Sequence, residues 1–234
     1  TYVAWQWKAN GGTTSSNTSG DITSTVQANT TAGFSILTFT GAGSNQSLGH
    51  GLSSTPEFYI TKKRSATDNW WIYTTAIDGS LDYIALNLTD AGGDASQTAP
   101  TSTLIYQNQA DSSTNVIYCF HSVQGYSKFG TYTGNGDADG PFNYCGFKPA
   151  FVITKRFETG SDNWHILDHK RDIDNPAVEV ISANASTEEG TTTTSMIDFL
   201  SNGFKCRGTG SSINTSDKDY IYIAFAESPF VTSG

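Results

Sequence analysis

Charge is what this chain of 234 residues has least of. Asp, Glu, Lys and Arg make up only 15 % of it, against a usual share of about 25 %. The 13 basic residues are outnumbered by 22 acidic ones, for a net charge of −9. There is no basic stripe, which argues against nucleic acid and against an anionic membrane surface as partners. No apolar run approaches the roughly 20 residues of a spanning helix. No secretory leader pattern is present, although a trimmed chain would have lost one. Cysteine is scarce and odd in number: Cys119, Cys145 and Cys206. An odd count argues against a dedicated disulfide framework, and no Cys/His cluster has zinc spacing. Cys119 reads as a small buried apolar group. A bridge between Cys145 and Cys206, each beside a Gly-Phe-Lys element, stays open.

What the chain has instead is Thr, Ser, Asn and Gly, with 12 % aromatics. That is the composition of strands joined by turn-rich loops, and it is too aromatic for disorder. The chain also repeats itself. Phe58-Tyr59-Ile60-Thr61-Lys62 with Asp68-Asn69-Trp70 returns as Phe151-Val152-Ile153-Thr154-Lys155 with Asp162-Asn163-Trp164. Gly33-Phe34-Ser35 returns as Gly125-Tyr126-Ser127. A period of roughly 100 residues is the size of a small β-sandwich. The expected fold is therefore all-β: two tandem, internally duplicated, jelly-roll-like β-sandwich modules at 33–123 and 124–234.

The expected strands are short β-branched and aromatic runs bounded by Gly, Asn, Asp or Pro. They fall at 34–40, 57–63, 70–75, 83–88, 103–106 and 115–121 in the first module. In the second they fall at 127–133, 150–156, 165–167, 178–182, 203–207 and 220–226. Alternation puts Phe58 and Ile60 on one face, Tyr59 and Thr61 on the other. Asn115–Phe120 and Tyr220–Phe225 close the modules and are apolar on both faces, as strands central to a packed sheet are. Only 195–200 reads as a helical turn. Residues 1–9 resemble a third closing strand. They are expected either to come from a preceding module of a longer tandem protein, with Thr1 not a natural beginning, or to form an extra edge strand. Residues 10–32, almost wholly Gly, Thr, Ser and Asn, read as a long loop.

Three stretches are candidates for chemistry. The duplicated Asp-Asn-Trp reads as a turn followed by a core Trp, needed twice. In its functional reading Trp71 or Tyr73 is an outward stacking platform for a sugar ring, and Asp68, Asp162 and His165 complete the ligand-binding set. Asn135, Asp137 and Asp139 alternate in a Gly-rich loop and could offer oxygens to Ca²⁺. However, the EF-hand glutamate is missing and the counterpart loop at 40–45 has no carboxylate, which favours a plain hairpin loop. Residues 164–174 hold His165 and His169 among charges and could form an acid–base or metal set. Four residues apart suits a helix, so a strand running into a charged loop is the simpler reading.

The set Tyr2–Ala9, His50–Lys62, Gly125–Gly136 and Tyr220–Glu227 resembles repeat-bearing virion proteins of marine bacteriophages, described as tail-fibre-like or structural proteins with β-domains. The likeness runs from Tyr2 to Phe230, with Gln6 where a Cys is common. It implies a solvent-exposed virion component, assembled in the host cytoplasm and displayed extracellularly. It carries over no catalytic or binding residue.

Three functions follow as expectations. The first is a tail-fibre or decoration component, not an enzyme, that attaches to a host-surface glycan or protein. The second is a self-assembling structural spacer whose partners are other virion proteins or copies of itself, a trimer among the options. The third is a polysaccharide-degrading enzyme. That needs two carboxylates about 5–10 Å apart, for which Glu57, Glu158, Asp168 and Glu179 are unpaired candidates. No cofactor is expected beyond the Ca²⁺ option.

Overall fold

The computed structural model describes residues 4–10, 12–109, 111–158 and 160–229. The chain is all-β, and its described strands all pair antiparallel apart from one isolated parallel bridge between Ile22 and Leu48. In the first half, β1 (Ser15–Asn17), β2 (Ser24–Asn29), β3 (Phe34–Thr40), β5 (Phe58–Lys63), β6 (Trp71–Thr74), β7 (Asp82–Ala85), β8 (Gly93–Asp94) and β10 (Thr114–Phe120) form one large sheet. Its order is β1-β2-β3-β10-β5-β6-β7-β8. A small sheet of β4 (Gly43–Gly49) and β9 (Leu104–Gln109) lies over it.

The second half builds a large sheet from β11 (Ser127–Thr133), β13 (Pro149–Arg156), β14 (His165–Asp168), β15 (Glu179–Ser182), β16 (Gly190–Thr191) and β19 (Asp219–Ala226). Its order is β11-β19-β13-β14-β15-β16. The small sheet here is β12 (Phe142–Tyr144), β18 (Gly203–Cys206) and β17 (Ile197–Leu200). Read strand for strand, β3-β10-β5-β6-β7-β8 and β11-β19-β13-β14-β15-β16 follow the same order.

Each closing strand is central, as its two apolar faces required. β10 lies between β3 and β5, and β19 between β11 and β13. In β10, Ile117 and Cys119 face the first sandwich's own core with Leu37, Leu48 and Ile105. In β19, Tyr220, Tyr222 and Ala224 face the second core with Phe199 and Phe204. The opposite faces meet each other: Phe58, Ile72 and Phe120 pack in one cluster with Ile153, Ile223 and Phe225. The layers therefore stack as small sheet, large sheet, large sheet, small sheet. Rings from both halves meet in the middle, Phe58 stacking on Phe129 at 5.6 Å between centroids.

Directed bonds fix the two halves together. Trp164, fully buried, donates its indole N–H to the Ala85 carbonyl at 2.9 Å. Lys155 reaches the Thr89 carbonyl at 2.9 Å, and the Gly92 amide donates to Phe157 at 2.8 Å. Burial pushes the Lys155 ammonium below its ordinary value, so its bond to Thr89 matters for satisfying it.

Several local expectations are corrected. Residues 10–32 are not a loop, because β1 and β2 extend the large sheet along β3. Ser24 and Val26 point inward there, and the Ser24 hydroxyl is satisfied by the Gly49 carbonyl at 2.8 Å. Residues 197–200 are strand, with Ile197 and Phe199 turned into the core; the one described helix is the single turn α1 (Ser211–Asn214). Tyr2 and Val3 of the expected opening strand lie outside the described residues. Residues 4–9 carry no strand. Trp5 and Trp7 lie instead against Phe151 and Phe225 of the second half, at 5.3 and 5.2 Å. Cys145 and Cys206 are not bridged. All three thiols are free and buried, and burial pushes Cys145 and Cys206 each up to about 12.

Asp82 gives the stability a readable pH dependence. It is 4 % exposed, and burial, then Asp78 and Asp94, push its carboxyl up to about 6 from 3.8. The folded state therefore favours the protonated form, a contribution present below pH 3.8 and lost as pH rises through about 6. His50 acts in the opposite sense: burial lowers it to about 4 from 6.5. Its contribution is present above 6.5 and lost as pH falls towards 4. Asp82→Asn isolates the first group. Its stability relative to wild type is expected to rise between pH 4 and 6 and to stay higher at pH 7. Urea midpoints across that range measure it, and a flat difference would refute the assignment.

Candidate functional site

The duplicated turn builds the same clasp twice. Asn87 donates to Asn69 at 3.0 Å and accepts the Trp70 amide at 2.9 Å. Asn184 donates to Asn163 at 2.8 Å and accepts the Trp164 amide at 2.8 Å. Asp and Asn suit this role because they bond nearby backbone in turns. The two tryptophans then part company. Trp164 is 0 % exposed, as the core reading expected, whereas Trp70 is 38 % exposed.

The remaining members of the sugar-stacking set divide between surface and core. On β6, Trp71 and Tyr73 turn away from the central layer. The Tyr73 ring is stacked on buried Tyr59 at 5.1 Å, and burial raises its hydroxyl. It belongs to the first core and is no outward platform, because residue 73 shares its face with Tyr59 across the ladder. Trp71 is half-buried, donates to Asp68 at 3.1 Å and meets the Tyr83 ring edge-on at 5.6 Å. Asp68 also accepts the Asn69 amide and lies 3.7 Å from Lys63.

In the second half Asp162 is buried, paired with Arg156 and bonded by the Ser211 hydroxyl at 2.8 Å. His165 stands where Trp71 stands in the first half, and burial lowers its pKa while Asp162 opposes the shift. Asp68 and Trp71 are thus brought together, but Asp162 and His165 lie in the other sandwich.

The oxygens of the Asn135–Asp139 stretch are engaged from within. The Asn135 side chain takes the Asp137 amide at 3.0 Å and the Asn214 amide group at 3.0 Å. Asp137 takes the Asp139 amide at 2.9 Å. Asp139 lies 2.7 Å from Lys205, which holds its carboxyl below the usual range. Asn214, fully buried, ties the loop down by further bonds to the Asp137 and Gly208 carbonyls. Among the described residues no group of three or more His, Cys, Asp or Glu could hold a metal. His165 and Asp168 end β14, and the chain turns at His169, with Arg171 closing back on Asp168 at 2.6 Å. This is the strand entering a charged loop. The other candidate carboxylates are engaged locally as well: Glu57 accepts the Ser122 amide at 2.8 Å and Glu158 the Asp219 amide at 3.1 Å. A hydrogen bond with Glu189 holds the half-buried Glu179 carboxyl above its ordinary value.

One opening was not anticipated from the sequence. Between the two large sheets lies a cleft of about 460 Å³. Trp5, Trp7 and Trp70 line it with Ile36, Tyr118 and Phe151, and no charged side chain is among its lining residues. Trp70 stacks on Tyr118 at 6.5 Å. Such a cleft can hold an apolar or aromatic group but offers few directed bonds. The signal that could have found it is the pair of closing strands, whose second apolar faces had to meet something.

Fold and surface together define an all-β protein of two face-to-face antiparallel sandwiches with an apolar cleft at their junction. A family model described as a domain of unknown function (DUF7483) matches residues 1–229, and the chain belongs to that family. No curated protein and no solved structure matches it.

Proposed function

We propose that this protein is a structural component of a bacteriophage-like particle, a tail-fibre or decoration module that contributes to attachment at the host surface. The resemblance of its motifs to virion proteins supports the setting. The observation that carries the interaction role is the tryptophan-lined cleft. Exposed apolar surface is unfavourable by about 25 cal/mol per Å², and large contiguous apolar patches mark sites of interaction. The occupant this cleft suits is an aromatic side chain of a neighbouring particle protein. Trp164 supplies the precedent, since an indole already sits between the same two sheets. The test is immunogold labelling of particles released by the strain that encodes the chain. Label on the particles is expected, and it should fall in a Trp70→Asp variant that keeps its native circular dichroism. Protein confined to the soluble fraction would overturn the proposal.

One observation favours the spacer reading as a second. β11 is seven residues long and ends its sheet; Val123 and the Ser122 hydroxyl cover its outer edge at Ser127 and Phe129, and among the described residues no strand pairs with the edge beyond them. Its counterpart β3 is covered by β2. The open remainder of that edge can accept a strand from another copy. Sedimentation across a concentration series decides: a monomer throughout removes this reading.

A further inference from the structure

We propose that the outer face of the small sheet β12-β18-β17, with the pocket at its end, is a binding site for a neutral glycan chain. The inference rests on the attachment reading above and gives it a ligand class.

In β12 the middle residue, Asn143, points inward and is 6 % exposed. Phe142 and Tyr144 therefore point outward, and at 44 % and 63 % they are the most exposed aromatic side chains among the described residues. Register sets their neighbours. Phe142 pairs with Lys205, which pairs with Asp198; Tyr144 pairs with Gly203, which pairs with Leu200. Gly203 keeps the surface low. A Cβ there would come within 3.1 Å of the Phe142 ring and 2.1 Å of the Asn143 carbonyl. The two rings stand about 7 Å apart along the strand, from a rise of about 3.3 Å per residue. An aromatic face receives the apolar face of a pyranose with little loss of side-chain entropy.

The polar partners lie on both sides of this aromatic pair. On one side Lys205 and Arg207 share Asp139 at 2.7 and 3.4 Å, and Arg207 also lies 3.4 Å from Asp198. On the other side is a pocket of about 160 Å³ where Lys148, Ser201, Glu227 and Ser228 meet Phe147 and Ala226. Its Lys148–Glu227 pair is 2.9 Å long, with His169 at 3.7 Å from the same carboxylate. The Tyr144 hydroxyl reaches the pocket rim, 3.4 Å from where a Gly146 Cβ would stand. Sugar hydroxyls donate and accept at once, and ion pairs offer both functions with charge-assisted strength.

Charge selects among glycans. Lys205 and Arg207 face Asp139 and Asp198 beside the rings, and Lys148 is matched by Glu227, so the site is locally balanced while the whole chain carries −9. A polyanion would be repelled by the molecule and find no free cation in the site. The first sandwich lacks the feature: its small sheet holds Tyr106 half-buried at the matching outer face.

The test is an array of neutral and acidic glycans, probed with the wild-type protein and with Tyr144→Ala, Phe142→Ala, Trp71→Ala and Trp70→Asp. Both Phe142 and Tyr144 are exposed, so their variants keep the fold. Binding to neutral glycans is expected, weakened about tenfold by either ring deletion. No binding to any neutral glycan by folded protein overturns the proposal, as does binding that survives loss of both rings. Loss through Trp71→Ala alone would move the site to the first sandwich. Retained array binding by a protein absent from particles would sink the particle reading and leave this site standing.

Discussion

Trp164→Ala is expected to lower stability by about 3–5 kcal/mol, while Trp70→Ala, the same residue in the other copy of the motif, lowers it by less than about 1. Trp164 is fully enclosed between the two large sheets, with its N–H on the Ala85 carbonyl. Truncation leaves a cavity where the sheets meet and removes that carbonyl's indole donor. Trp70 keeps much of its ring in water and loses little by truncation. Against a domain stability of about 5–15 kcal/mol the first loss is large. Trp164→Phe separates the causes: it keeps most of the volume, removes the N–H and should cost about 1–2 kcal/mol. Urea unfolding followed by circular dichroism measures all three. Equal losses from Trp70→Ala and Trp164→Ala would contradict the difference in their packing.

Asp162→Ala is expected to cost a further 3–5 kcal/mol or so, through charge and not volume. Its carboxylate is 5 % exposed and its partner Arg156 is 12 % exposed. Deleting the acid strands a buried guanidinium that also donates to the Thr215 hydroxyl at 3.2 Å. It also removes the acceptor of the Ser211 hydroxyl. Replacing both partners with apolar residues, Arg156→Met with Asp162→Leu, should recover most of the loss, since a buried pair exchanged for well-packed apolar groups is often neutral. Asp68→Ala, at the matching turn, removes a more exposed pair and should cost about 1 kcal/mol or less. Denaturant midpoints for the single and double variants test this. An Asp162→Ala protein of unchanged stability that had lost a ligand would return the residue to the binding set.

Much of the architecture was readable because the closing strands are unambiguous. Residues 115–120 and 220–225 are apolar on both faces, and only a central strand between two packed layers tolerates that. The polar strands were not readable. Ser24–Asn29 and Gly43–Gly49 lack β-branched runs, and they are strands because a neighbour supplies the ladder, not because their own residues prefer it. Ile197-Asp198-Phe199 carried the alternation of a strand, but four residues are too few to separate it from a helical turn. Of the candidate site, the Asp-Asn-Trp turn was legible as a motif. Its two outcomes were not, since whether a Trp is enclosed or left at a cleft depends on how the large sheets meet. Phe142 and Tyr144 escaped notice for the same reason: exposure is a property of the finished sandwich.

The partly open edge of β11 also has a consequence for symmetry. Two copies meeting edge to edge through β11 would pair antiparallel about a two-fold axis, and growth would stop at two. A β11 edge that instead receives a different strand of the next copy joins unlike surfaces, and such a contact repeats without limit unless its rotation closes a ring. The distribution of particle masses thus reports which surface β11 meets: a single step to twice the monomer mass marks the closed pair, and a ladder of every multiple marks the open chain.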